Sequence, residues 1–268
     1  MKKRWIFLLL AAALVVWVLW ANTAVEVNEW TIESDRLPVA FEGFRIAQVS
    51  DLHNAKFGAE NETLLDLLRD CQPDIIVLTG DLVDSRNTDI AVALTFAERA
   101  VQIAPCYYVS GNHESRIRQW SQLRQGLVDA GVTVLENEAV RLERDGAFLT
   151  LIGMEDPSFG GDFAGILKDL TEGEGCTILL SHRPELFALY AQVGVDLVFS
   201  GHAHGGQFRI PFVGGIVAPG QGFFPEYDSG LYHSGSTAML VSRGLGNSII
   251  PLRVNNRPEI VVAVLSRH

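Results

Sequence analysis

Five short apolar runs in this chain each end on a side chain that can ligate a metal, and this repetition limits the possible folds more than any other feature. Cys106-Tyr-Tyr-Val-Ser leads into Gly111-Asn112-His113-Glu114, which places an amide, an imidazole and a carboxylate at a strand's end. Phe44-Arg-Ile-Ala-Gln-Val-Ser leads into Asp51-Leu-His53, and Asp74-Ile-Ile-Val-Leu-Thr into Gly80-Asp81-Leu-Val-Asp84. Cys176-Thr-Ile-Leu-Leu-Ser leads into His182, and Val195-Asp-Leu-Val-Phe-Ser into Gly201-His202-Ala-His204. A short β-branched run bounded by turn residues reads as a buried strand, and polar groups at the ends of neighbouring strands converge on one crevice.

Helical patterns separate the first three runs. Glu62 to Cys71 carries Leu64, Leu65, Leu67 and Leu68 at helical spacing until Pro73 stops it, Ile90 to Ile103 forms a second amphipathic stretch, and Arg118 to Ala130 is closed by Gly131. This alternation predicts an α/β sheet with parallel pairing. From Val132 to Met154 the rhythm breaks, and Val-Thr-Val-Leu with Ala-Phe-Leu-Thr-Leu-Ile around Glu143-Arg-Asp-Gly146 predicts a hairpin. Helices near Phe163 to Leu170 and Pro184 to Gln192 bracket the strand that delivers His182. The glycine-rich tail from Gly205 to Gly246, with the closing run Glu259 to Leu265, reads as antiparallel strands and long loops. With 268 residues, 48% of them hydrophobic, the chain can bury a large core as one globular domain with an appendage.

The appendage is the N-terminus, where Lys2-Lys3-Arg4 precedes seventeen uncharged residues, Trp5 to Ala21. That length sits at the short end of the roughly 17 to 25 residues that span a bilayer and beyond the roughly 7 to 15 of a signal-peptide core. Trp17 and Trp20 suit an interfacial belt, and Ala21-Asn22-Thr23 is a poor cleavage site, which favours an uncleaved signal anchor. The expected division is a basic tip and anchor over 1–22, a linker and edge strand over 23–40, and the main domain over 41–268. Basic residues stay cytoplasmic, so the expectation is a single-pass cell-membrane protein with its domain on the extracytoplasmic side. The formal net charge of −11 argues against nucleic acid as a partner. Cys71, Cys106 and Cys176 lie in or beside apolar runs without close pairing and read as buried thiols.

Asp51, His53, Asp81, Asn112, His182, His202 and His204 are seven oxygen and nitrogen donors with no thiolate among them, a set that suits Mn, Fe, Zn or similar cations. Seven exceed what one ion takes. Two divalent ions about 3.5 to 4 Å apart, sharing a carboxylate, would use all of them and supply a water-derived nucleophile near neutral pH. His113, beside Asn112 yet unneeded as a ligand, is the candidate proton donor to a leaving group.

In this order and at these strand ends, the motifs resemble the calcineurin-like metallophosphoesterase superfamily. The resemblance spans about Phe41 to Leu265 and implies a four-layer α-β-β-α sandwich of two mixed sheets behind an N-terminal transmembrane helix. It also implies Asp51, His53 and His204 on one ion, Asn112, His182 and His202 on the other, Asp81 bridging, and Asp84 hydrogen-bonded to His113. Where protein phosphatases of the superfamily have Arg after the position of Asp84, this chain has Ser85, with Arg86 one place later, so a protein phosphatase is not expected. Gly201-His-Ala-His-Gly-Gly-Gln-Phe-Arg-Ile-Pro211 and Ser242-Arg-Gly-Leu-Gly-Asn247 are similar to the bacterial membrane-anchored branch, which includes small phosphodiesterases and a UDP-diacylglucosamine pyrophosphatase. The implied activity is phosphodiester hydrolysis by a monomer on membrane or envelope phosphate esters, some of them lipid-linked. The alternatives are pyrophosphatase action of the UDP-diacylglucosamine type and a non-catalytic metal-binding membrane protein; intact His113 with all seven donors counts against the latter. Phe208, Ile210, Phe212, Phe223 and Phe224 either wall a lipid chain or fill a core under a long loop, and the second reading is favoured.

Overall fold

Strands that are apolar at every position need cover on both faces, and this chain supplies it with four layers. The computed structural model describes residues 2–173, 175–248 and 250–267. A long helix, α1 (Lys2–Thr23), leads into β1 (Glu26–Glu33), β2 (Arg45–Val49), α2 (Glu62–Asp70), β3 (Ile75–Thr79), α3 (Ile90–Ala100), β4 (Cys106–Val109), α4 (Trp120–Asp129) and β5 (Thr133–Val134). The second half continues through β6 (Glu138–Arg144), β7 (Ala147–Gly153), α5 (Phe163–Thr171), β8 (Thr177–Leu180), α6 (Phe187–Val193) and β9 (Leu197–Ser200). Two short ribbons follow, β10 (Arg209–Ile210) with β11 (Gly214–Gly215) and β12 (Val217–Ala218) with β13 (Gly222–Phe223). The chain ends with β14 (Gly230–Ser234), β15 (Thr237–Val241) and β16 (Glu259–Ser266).

Two six-stranded sheets result, ordered β1-β16-β2-β3-β4-β5 and β14-β15-β9-β8-β7-β6. Alternation along each strand sends side chains to opposite faces. Ile46 enters the space between the sheets with Val77, Val109, Ile178, Leu180 and Phe199, while its neighbour Ala47 faces Leu64, Leu68 and Phe96 of the first helical layer. Beyond the second sheet, Leu179 and Val198 meet Leu167 of α5 and Phe187 and Tyr190 of α6. The ligand-bearing strands run parallel to their neighbours, β2 with β3 and β4, and β8 with β9, so within each sheet their C-terminal ends open the same way.

Three placements differ from the sequence reading. Val132–Leu135 does not form the hairpin; residues 133–134 instead pair beside β4, and the hairpin joins β6 to β7. Its turn is where the sequence puts it, at Asp145-Gly146, with φ of 51° and 80°, as a two-residue hairpin turn requires. β6 escapes a pattern search because it is an edge strand carrying mostly charged residues. The closing run β16 leaves the tail altogether, lying between β1 and β2, parallel to the first and antiparallel to the second. Residues 26–33 pair along its whole length, so the edge strand of the 23–40 segment belongs to the first sheet and leaves little slack after α1. All three cysteines are buried and free.

The stretch Arg4–Thr23 is long and apolar enough to cross a membrane, spanning about 30 Å at 1.5 Å per residue. Most of it is exposed, but its end is gripped by the domain. The Asn22 amide donates to the Arg253 carbonyl (3.1 Å) and accepts the Arg253 N–H (2.8 Å), and the Arg257 guanidinium lies 4.5 Å over the Trp20 ring.

Candidate metal centre

The five strand ends open on one edge of the sandwich. Asp51 and His53 follow β2, Asp81 follows β3, Asn112 and His113 follow β4, His182 follows β8, and His202 and His204 follow β9; all are buried. The sheets are tied together beneath them. Gln48 of β2 donates to the Thr79 hydroxyl (2.8 Å) and to the Ser200 carbonyl of β9 (2.9 Å), and the His202 N–H donates to the Asp51 carboxylate (3.1 Å).

Donor atoms gather in two groups, Asp51 with His53 and His204 and Asp81 with His182 and His202, and a further set of His53, Asp81 and His113 lies between them. His53 Nε2 lies 3.2 Å from His204 Nε2, and Asp51 Oδ1 lies 3.4 Å from His204 Nε2. His182 Nε2 lies 3.2 Å from His202 Nδ1 and 3.2 Å from Asp81 Oδ2. That same Asp81 oxygen is 3.6 Å from His53 Nε2, so one carboxylate oxygen faces both groups. Two imidazole nitrogens that face each other need a proton or a cation between them, and ligands at about 2.0 to 2.2 Å from one ion stand about 3 Å apart. Asn112 Oδ1 is buried without a hydrogen-bond partner among the described residues, which suits an oxygen reserved for a cation. The donors present therefore fit the cations that the sequence implies.

The backbone is strained at the same places. Asp51, His53, Asp81, His202 and His204 have φ between 45° and 65°, a region that costs a non-glycine residue roughly 1 to 3 kcal/mol and persists only where the surroundings dictate it. Here they do, through Asp51 N–H to Gly80 O (3.0 Å), His53 N–H to Asp81 O (3.0 Å) and Gly246 N–H to Asp51 O (2.7 Å). Two glycines admit this crowding. A Cβ on Gly201 would lie 1.9 Å from Ser50 Oγ, and one on Gly111 would lie 2.3 Å from Asp81 Oδ1.

Burial holds His53 down at about 4 and keeps His202 and His204 well below the usual imidazole range. Neutral rings are the form a cation requires. Burial would raise Asp81, but the charge and hydrogen bond of His182, then His53, more than offset it and hold the carboxyl well below its usual range. For His182 burial acts downward, yet Asp81, followed by Asp51 and Asp156, lifts the ring to about 10, so a cation binding there displaces a proton. His182 Nδ1 is 2.8 Å from the Thr79 carbonyl, the kind of contact that fixes a ligating ring.

Residues 44–206 match the family of calcineurin-like phosphoesterases. The chain belongs to that family. It is accordingly a metal-dependent phosphoric ester hydrolase. It is 33% identical to YkuE, an uncharacterized metallophosphoesterase of Bacillus subtilis, over 90% of this chain and 85% of that one. It is 29% identical to the phosphodiesterase YaeI of Escherichia coli, covering 83% of this chain and 82% of that one. It is also 30% identical to a Danio rerio transmembrane protein with a metallophosphoesterase domain, over 97% of this chain and 62% of that protein. Among solved structures, the sulfate thiohydrolase SoxB of Thermus thermophilus superposes with a TM-score of 0.55 at 15% identity, over 86% of this chain and 57% of that one, which shows a common fold.

Within this phosphoesterase, the contact expected between Asp84 and His113 is not a hydrogen bond. Asp84 Oδ1 stands 3.6 Å from His113 Nδ1, which instead accepts the Ser85 N–H at 2.9 Å, while Asp84 holds Arg86 through the backbone N–H and the guanidinium. Ser85, which marks a departure from the protein phosphatases, thus has a structural task. Two further residues have tasks that the sequence does not announce. Glu114 is fully buried and accepts N–H groups from Asp81 (2.9 Å), Leu82 (2.8 Å) and Gly111 (2.8 Å), splinting the Asp81 turn to the Asn112 turn. Arg183 forks onto Asp156 at 2.6 and 3.0 Å and places Nη1 3.0 Å from His202 Nε2. The available signal is position: each directly follows a candidate site histidine, Glu114 after His113 and Arg183 after His182.

Proposed function

We propose that this chain is a membrane-tethered phosphodiesterase that uses two divalent cations, drawn from Mn, Fe, Zn or similar ions, on phosphate esters of the cell envelope. The observation that carries this reading is the single Asp81 oxygen facing both donor groups, 3.6 Å from His53 and 3.2 Å from His182. Asp51, His53 and His204 would hold one cation, Asn112, His182 and His202 the other, with Asp81 shared. Such a pair, when bound, supplies Lewis acidity for the phosphoryl oxygens and a nucleophile at neutral pH. The chain's own task is then to keep the donors neutral or anionic at fixed positions and to protonate the leaving group, for which His113 stands beside the Asp81 turn. Its own N–H donates to Asp81 Oδ1 at 2.8 Å. Diester preference is supported by the likeness to YaeI. The purified full chain in detergent is expected to retain two transition ions and to hydrolyse bis(p-nitrophenyl) phosphate until a chelator removes them. Metal without turnover of the diester would overturn the phosphodiesterase reading and leave the pyrophosphatase and non-catalytic ones.

α1 supports an extracytoplasmic location for the domain. Lys2, Lys3 and Arg4 stay on the cytoplasmic side of a helix this apolar, which puts the domain outside the membrane, among lipid headgroups, glycolipid pyrophosphates and wall phosphodiesters. Protease added to intact spheroplasts should therefore digest the domain. Complete protection, with digestion only after lysis, would reverse the topology.

A further inference from the structure

The aromatic residues of the two ribbons do not fill a core. Phe212, between β10 and β11, is fully exposed, and on the second ribbon Phe223 is 77% and Phe224 65% exposed. Two of the three carry a second cost. Phe212 and Phe224 have φ of 67° and 55°, turn positions that Gly or Asn takes freely and a bulky aromatic resists. Surface apolarity and backbone strain at the same residues mark an interaction site.

The first ribbon's mount says what it meets. The Arg209 N–H donates to the Val254 carbonyl (3.0 Å) and Phe208 bridges to Val254, one residue from Arg253, whose backbone the side chain of Asn22 grips at the end of α1. Phe212 is three residues beyond Arg209, so its backbone lies at most about 10 Å from the segment that holds the helix end. The mount is stiff. Arg253 is fully buried and bonds the Arg243 carbonyl (2.8 Å) and the Asn247 side chain (3.0 Å). An α1 that fills the hydrocarbon core leaves its last turn in an interfacial layer about 5 to 8 Å deep, within reach of Phe212. Trp17 and Trp20 lie on the same last turns of α1.

We infer that the aromatic tips of the two ribbons enter the same leaflet that α1 leaves, a second membrane contact that holds the mouth of the metal centre at the bilayer surface. The inference rests on the membrane topology proposed above and extends it to the substrate. Val217 and Ala218 of the second ribbon, with Pro219 and Ile250, line a mostly apolar cavity of about 220 Å³ against His204. An apolar chain joined to the phosphate ester can be seated there while its tail remains in the leaflet, so the substrate class is a lipid-linked phosphodiester.

The test uses the full chain in vesicles of phosphatidylethanolamine and phosphatidylglycerol, with nitroxide labels on Phe212→Cys, Phe223→Cys and, in the β6–β7 turn, Asp145→Cys. Buried Cys71, Cys106 and Cys176 leave the native thiols shielded from the label. Labels at 212 and 223 should collide more with oxygen than with a water-soluble nickel chelate, and the label at 145 should show the reverse. The triple change Phe212→Ser, Phe223→Ser, Phe224→Ser should slow hydrolysis of a vesicle-embedded lipid phosphodiester by at least about tenfold, since interfacial binding scales with buried apolar area. The rate on soluble bis(p-nitrophenyl) phosphate should stay unchanged. Water-type accessibility at both labels overturns the inference, and label–label broadening in that case assigns the surface to a second copy of the chain. Equal losses on the two substrates also overturn it. The depth measurement needs no turnover, so an inactive or metal-free chain would fail the functional reading, and the substrate class with it, without touching the membrane contact.

Discussion

Asp81→Asn is expected to lose metal from both positions at once and hydrolysis with it. The substitution keeps the size of the side chain and one carbonyl oxygen, but it removes charge from the one donor that faces both groups, 3.6 Å from His53 Nε2 and 3.2 Å from His182 Nε2. An amide nitrogen turned that way would meet imidazole nitrogens that should be binding cations. The loss should exceed the roughly 10- to 100-fold that removal of an outer partner of a metal ligand costs. Asn112→Ala makes the contrast, because Asn112 belongs to one group only and its loss should leave close to one equivalent bound. Elemental analysis of the two purified variants decides the matter: two full equivalents on Asp81→Asn would end its assignment as the shared ligand.

What is legible in the sequence follows from which interactions are local. Strands buried on both faces leave uninterrupted apolar runs, and five of them end on residues that the fold assembles, so the pattern alone names Asp51, His53, Asp81, His182, His202 and His204. Neighbours in a sheet are less legible. The run at Glu259 announces a strand, but nothing within it says that it lies between β1 and β2, because that choice is made by side chains far away in sequence. Charge conceals β6, whose burial rests mainly on Leu142. The task of Glu114 is hidden for a different reason. A carboxylate that accepts four buried backbone N–H groups looks in sequence like any solvated glutamate, although burial and then Asp81 push it up to about 8. The rule that large apolar residues are buried puts the ribbon aromatics inside; exposure of Phe212, Phe223 and Phe224 shows that the rule runs one way only.

His113→Ala should keep both cations and lose rate by about 10² to 10⁴ if the ring is a general acid. The ring lies in the site without being required as a ligand, its edge packed against His53 with centroids 4.5 Å apart. The hydrogen bonds add a condition. With Nδ1 accepting the Ser85 N–H at 2.9 Å, the neutral ring carries its proton on Nε2, on the side where Ser248 Oγ stands 3.3 Å away. A neutral imidazole can donate a hydrogen bond from that nitrogen but does not release the proton readily; release needs the imidazolium. Burial lowers the ring first, with Asp81 and Asp84 acting against it, so forming the cation requires Nδ1 to give up the Ser85 N–H and turn its own proton toward Asp84, now 3.6 Å away. Asp84→Asn should accordingly lose a smaller part of the same rate with metal content unchanged. Both losses should shrink as the leaving group improves from an alkoxide to p-nitrophenolate, since a stable anion scarcely needs protonation. Equal losses across leaving groups would show that His113 binds the phosphate rather than protonates the departing oxygen. A rate unaffected by Asp84→Asn would show that the neutral ring acts by hydrogen bonding alone.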